Sequence, residues 1–192
     1  AAPKEERIPF VQTAAMLEGV RVHKALEERI AQSKPLVGGD TKYEGLIQAI
    51  LKHPGINFTE DQIVLDRNLQ VCGKWDKSAW VRVIIDLLKI NGNKMFAADW
   101  KTGSVQLDTK QLKLIAAVGM NAYPEVDIVT TAYIWLKDKI VDAHTYTRNE
   151  LPQMWHELLK VPLQMQESNT TGDWPAKPSY KCGWCDVNKL GK

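Results

Sequence analysis

Apolar positions recur at spacings of three and four across 13–30, where Met16, Gly19, His23, Leu26 and Ile30 line up, and this predicts a first helix. The segment QSKPLVGGD breaks it. A second helix is predicted over 42–52, with Tyr43, Leu46, Ile47, Ile50 and Leu51 on one stripe. Asp40 or Thr41 is its expected cap and Pro54-Gly55 its stop. The pattern then changes to that of strands. Residues 62–76 accommodate two short ones, and VRVIIDLLKI over 81–90 reads as a strand from its β-branched content. Asn91-Gly92-Asn93 is a hairpin turn, with KMFAADWKT over 94–102 as the returning arm. A helix over 108–120 opens with a capping box from Asp108 to Gln111. Residues 126–136 and 141–147 give another strand pair, and a last helix over 151–166 carries Pro162 as a kink. This order predicts an α/β fold, a central mixed sheet flanked by helices. The expected organisation is one domain over 1–192, with 167–192 as an irregular tail rich in Pro and Gly.

Bulk properties narrow the class without naming a function. A net charge of +2 is too small to argue for a nucleic-acid partner, so any basic surface must come from local clustering. The tail offers one, with Lys177, Lys181, Lys189 and Lys192 against Asp186. Three cysteines, Cys72, Cys182 and Cys185, form no disulfide framework and favour a reducing compartment, so a cytoplasmic location is expected. No apolar run approaches the roughly 20 residues of a membrane span, and the opening AAPKEER does not read as a signal peptide.

The chemistry concentrates in IIDLLKINGNKMFAADWKTG. Asp99 and Lys101 are two apart in a strand and share a face. Asp86 lies on the other arm of the hairpin. If Gly92-Asn93 is the loop, Asp86 stands opposite Asp99; if Asn91-Gly92 is the loop, it stands diagonal to it. Either register collects the three groups on one face. Two carboxylates side by side repel unless a cation lies between them. Mg²⁺ or Mn²⁺ suits such oxygens, and in that setting polarises a phosphate and activates water. Lys101 is placed to stabilise the charge that develops. Asp76, in GKWDK, is a rival carboxylate whose distance from the DxK strand fits the hairpin worse.

The set Asp86, Asp99-x-Lys101, reading DWKTG in its second half, resembles the PD-(D/E)XK nucleases and their RecB-like exonuclease branch. GVRVHKALEERI, with Gly19, His23, Leu26 and Glu27, is similar to the upstream histidine helix of that branch, and Gln111-Leu112 to its later glutamine. The resemblance implies a restriction-endonuclease-like core and a Mg²⁺- or Mn²⁺-dependent deoxyribonuclease. By it, His23, Asp86 and Asp99 are metal ligands, and Asp86, Asp99, Lys101 and Gln111 are catalytic. It further implies DNA as substrate, an exonuclease acting in recombination, repair or phage DNA processing, and a separate helicase or recombination protein as partner. No GxxxxGK[ST] loop occurs, so a motor would be another chain. Taken alone, His23 reads as a packed core histidine; beside the carboxylates it reads as a ligand. Gln111 has a complete structural role in the capping box and an equally good one at the site, and the sequence leaves both open.

Some relatives hold an iron–sulfur cluster on four cysteines, which three cysteines in one chain cannot supply. Cys182-x-x-Cys185 is therefore read as holding no metal. This also counts against an adaptation-type nuclease that carries the cluster. A silent binding module with the same fold is the other alternative, and it is disfavoured because the full set of candidate residues is present. Of seven tryptophans most read as packing, whereas Trp75, Trp80 and Trp184 lie where they can stack on single-stranded bases.

Overall fold

The computed structural model describes residues 11–106, 108–175 and 178–184. The basic tail lysines 177, 189 and 192, the side chains of Lys181 and Trp184, and Cys185 lie outside the described residues. Five strands, β1 (Ile56–Leu65), β2 (Val81–Asn91), β3 (Lys94–Lys101), β4 (Ile128–Trp135) and β5 (Ile140–Thr147), form one sheet in sequence order. β3 and β4 run parallel and the other neighbours antiparallel, so the sheet is mixed as expected. The parallel step needs a crossover, which α3 (Lys110–Ala122) supplies.

Each face of the sheet has its own core. On one, α3 and α4 (Leu151–Leu158) bury Ile115, Val118, Met120, Met154 and Trp155 against Val83, Ile85, Met95 and Ala97. On the other, α1 (Ala14–Gln32) and α2 (Glu44–Lys52) pack Val22, Leu26 and Ile47 over Leu87, Ala98, Trp100 and Ile134. The buried positions of α1 are thus Val22 and Leu26, while Met16 is exposed, so the stripe is rotated from the one its spacing predicts. Thr13 caps α1 by accepting from the Met16 amide. No side chain caps α2. A 3₁₀ turn, Gly38–Tyr43, precedes it, and the expected cap Asp40 is instead buried in a two-point ion pair with Arg21, at 2.5 and 2.9 Å.

Three further expectations are corrected. The two short strands over 62–76 are one strand that begins earlier, at Ile56, followed by an ordered loop over 66–80 with a single bridge, Leu65 to Val71. The Asp108–Gln111 capping box does not form: Asp108 accepts from the Lys110 amide, and Gln111 points elsewhere. The last helix is broken at Leu159, and α5 (Lys160–Thr171) carries it past residue 167, where irregular chain was expected. Leu158 is four residues before Pro162, whose ring removes one helical bond and crowds that carbonyl.

Lys89 departs from the apolar reading of β2. It is 5% exposed, and its ammonium donates to the carbonyls of Ile50 (2.9 Å) and His53, closing the C-terminal end of α2. Burial pushes its pKa down. The turn between α2 and β1 is equally constrained. Gly55 has φ +129°, and a Cβ there would stand 2.6 Å from the Ile90 carbonyl oxygen. Gly55→Ala is therefore expected to cost about 1–3 kcal/mol of stability. Chemical denaturation of the two proteins checks this, and an unchanged midpoint would refute the constraint.

Candidate active site

The hairpin uses the register with Gly92-Asn93 as its loop, since Asn91 pairs with Lys94 and the ladder runs regularly to Leu87–Ala98. There it stops. Asp86 and Asp99, next in register, form no backbone pair, and β2 and β3 fork. The Asp86 carboxylate fills the opening by accepting from the Trp100 amide at 2.7 Å. Side-chain alternation also fails here. Ile85 belongs to the core under α3, but Leu87, two residues on, belongs to the core under α1. Opposite Asp86 on β1, Glu60 is missing from the ladder and has φ +50°. A non-glycine residue in that region is uncommon and marks a locally constrained backbone.

The fork lets helices from opposite faces reach one place. From α1, His23 Nδ1 lies 3.3 Å from Asp86 Oδ2. Gly19, one turn earlier, lets α1 approach the end of β3, because a Cβ there would meet Thr102 Oγ1 at 3.1 Å. His23 is half-buried rather than a packed core residue. Its pKa is raised, first by the hydrogen bond to Asp86 and against the effect of burial. From α3, Gln111 Nε2 donates to Asp99 Oδ1 at 2.6 Å. Lys101 Nζ lies 2.6 Å from Asp99 Oδ2 as an ion pair, off the angle of a hydrogen bond, and donates to Gln111 Oε1 at 3.3 Å. Tyr133, beside Asp99 on β4, donates its hydroxyl to the same Gln111 Oε1 at 3.2 Å, and its ring faces the Lys101 ammonium at 4.9 Å. Gln111 thus bonds Asp99, Lys101 and Tyr133 rather than closing a cap.

The donor set fits a divalent cation. Ligand atoms of His23, Glu60 and Asp86 all lie within 4.8 Å of one another. Asp99 stands outside that cluster, beyond the fork, with Oδ2 buried and lacking a hydrogen bond. Burial raises the Asp99 pKa, against the pull of Lys101, and Asp86 raises it further. Glu60 is raised by loss of hydration and then by Asp86. Mutually repelling carboxylates with one imidazole are a setting that an oxygen-preferring divalent ion relieves.

Sequence reasoning collected His23, Asp86, Asp99, Lys101 and Gln111 and missed Glu60 and Tyr133. Glu60 sits in FTEDQ, ahead of the strands expected over 62–76, and its backbone conformation and its place beside His23 and Asp86 single it out. The rival Asp76 is in a turn of the 66–80 loop, accepting from the Ser78 amide and hydroxyl.

Comparison with solved structures shows similarity to an exonuclease candidate from Eubacterium rectale, at 14% identity and a TM-score of 0.50. That match covers 98% of this chain and 78% of the other. A second structure, SSO0001, aligns at 10% identity and a TM-score of 0.40, covering 91% of this chain and 96% of its own. No curated protein matches. Residues 57–190, which carry both arms of the hairpin, match the sequence model of the PD-(D/E)XK nuclease superfamily. The chain belongs to the PD-(D/E)XK nuclease superfamily.

Proposed function

We propose that the protein is a Mg²⁺- or Mn²⁺-dependent deoxyribonuclease that degrades DNA from an end. The observation that carries this reading is the pairing of Asp99 and Lys101, held by Gln111, with the His23, Glu60 and Asp86 cluster across the fork. Superfamily membership supports phosphodiester hydrolysis. The choice of exonuclease rests on the RecB-like order of His23, Asp86 and DWKTG, and the relative described as an exonuclease candidate agrees with it. The reading takes 1–192 as one nuclease domain, acting in recombination, repair or phage DNA processing beside a separate motor protein. Among the described residues no helix is long and apolar enough to cross a membrane.

In this reading His23, Glu60 and Asp86 would hold the cation, Asp99 across the fork being the further carboxylate that the family resemblance adds. The ion when bound would polarise the phosphate and promote ionisation of water. Lys101 places its ammonium beside the reacting phosphate and offsets charge on its non-bridging oxygens. Gln111 fixes Asp99 and Lys101 relative to each other. Its amide has one sensible orientation, because Tyr133 and Lys101 donate to Oε1 and leave Nε2 for Asp99. Burial pushes the Tyr133 hydroxyl up to about 12, so it remains a donor at neutral pH.

Asp99→Asn or Lys101→Ala should lower cleavage of end-labelled linear DNA by roughly 100-fold or more while the thermal melt stays cooperative. Wild-type rates in either variant would remove the pair from the site. Linear DNA should be degraded with Mn²⁺ and spared in EDTA, and covalently closed circles should survive. Equal attack on circles would exclude the exonuclease reading.

His23→Ala and Glu60→Gln should each weaken Mn²⁺ binding by on the order of tenfold, read by calorimetry. His23→Ala should also flatten any preference for Mn²⁺ over Mg²⁺, since nitrogen ligation favours Mn²⁺. A variant with unaltered Mn²⁺ affinity would strike that residue from the ligand set.

A further inference from the structure

The loop over 66–80 leaves the sheet at the end where β3 finishes, and it is tightly built. Asp66 Oδ1 accepts from the amides of Asn68 and Gln70. The Cys72 amide donates to the Val64 carbonyl and the Trp80 amide to the Leu65 carbonyl. Asn121 on α3 donates to the Leu69 carbonyl at 3.0 Å. On this frame Trp75 is 83% exposed. An indole held outward by an ordered loop is unusual, because its large apolar surface is normally covered. Two cations stand over the ring and still leave it 83% exposed, Lys74 Nζ at 5.4 Å and the Arg82 guanidinium at 5.5 Å from its centre. Arg82 also donates to the Lys74 carbonyl at 2.5 Å, which ties loop to strand.

The surface between this indole and the site is open. Val83 and Ile85 point into the core under α3, so Arg82 and Ile84 lie on the opposite face, the one from which His23 approaches. Ile84 is 46% exposed there. Arg82 and Asp86 are four residues apart, about 13 Å along β2 at roughly 3.3 Å per residue. An exposed stacking surface, flanking cations and a direct path to the acidic cluster are the features of a single-strand binding track.

We propose that Trp75, with Lys74 and Arg82, forms a platform on which a base of an unpaired DNA strand stacks while that strand's backbone runs along β2 toward the site. This deepens the nuclease reading and rests on it for direction only, since the platform binds DNA with or without cleavage. Arg82 and Lys74 meet the phosphates, and the indole takes any base, because every base offers a π face. Asp76, the acidic neighbour in the loop, is engaged by Ser78.

The test measures binding without turnover. Fluorescence anisotropy in EDTA would follow the full chain with labelled dT15 and with a blunt duplex of the same length. Trp75→Ala should weaken dT15 binding by about tenfold, within the range of one lost base stack. Trp75→Phe should recover most of it, and duplex binding should change far less. Unaltered dT15 affinity in Trp75→Ala would overturn the platform and leave the indole to some other contact. Equal losses for dT15 and duplex would overturn its single-strand character. A wild-type protein that binds dT15 through Trp75 but cleaves nothing with Mn²⁺ would sink the nuclease reading and leave the platform in place.

Discussion

The arrangement depends on where the β2–β3 ladder ends. A two-residue turn sets a register that would bring Asp86 directly against Asp99 inside a continuous sheet, two carboxylates with no room for hydration. The sheet forks instead, one step before that pair forms. Forking frees backbone groups that would be costly to bury unpaired, and the Trp100 amide is satisfied by Asp86 itself. The same carboxylate that makes the fork necessary thus stabilises it. The opening also admits His23 from one face and Gln111 from the other, which an intact sheet would keep apart.

The two sides of the fork have different electrostatic work. On the α1 side, ligand atoms of His23, Glu60 and Asp86 converge within 4.8 Å of one another, a set that could hold a cation. On the α3 side, Asp99 is 7% exposed and already neutralised by Lys101, whose position is set by Gln111 and the Tyr133 ring. Lys101 therefore has little freedom to wander, and in the proposed nuclease this would fix its charge where a reacting phosphate needs it. Both Asp99 oxygens are engaged on this side, one by Gln111 and the other in the ion pair.

The hairpin was legible because its signals are local: β-branched residues, Asn-Gly-Asn and carboxylates in apolar strands all sit within 81–101. The sheet's mixed character followed from element order. What the sequence hid was non-local. Gln111 satisfies a capping-box pattern, and only the placement of α3 against β3 decides that its amide faces Asp99. Glu60 was invisible because it lies ahead of the strands expected over 62–76, in the part of β1 that the sequence pattern did not mark, and β1 and β2 both drop out of the ladder at Glu60 and Asp86. Lys89 broke the apolar reading of β2 because its partners are the last carbonyls of a helix thirty-odd residues away in the chain. The shared-face argument fails for Asp86, which stands on the α1 side with His23 and Glu60, whereas Asp99 and Lys101 meet Gln111 on the α3 side, because alternation breaks at Asp86.

His23 needs a firmer seat than helix propensity gives, since α1 touches the sheet through only Val22 and Leu26 as fully buried side chains. Two arginines on α1, eight residues apart and on either side of His23, supply it. Arg21 grips the buried Asp40, and Arg29 grips Glu44 at 2.6 Å. Both partners belong to the 3₁₀ turn and the first turn of α2. An exposed ion pair alone contributes little, about 0–1 kcal/mol. The Arg21 contact differs because its acid is buried and would be left uncompensated without it. With Gly19 allowing close approach at Thr102, these pairs fix the rotation of α1, and rotation decides whether His23 faces the fork or the solvent. Placement of the imidazole beside Glu60 and Asp86 is in this way a consequence of contacts made two to six residues along the helix from it.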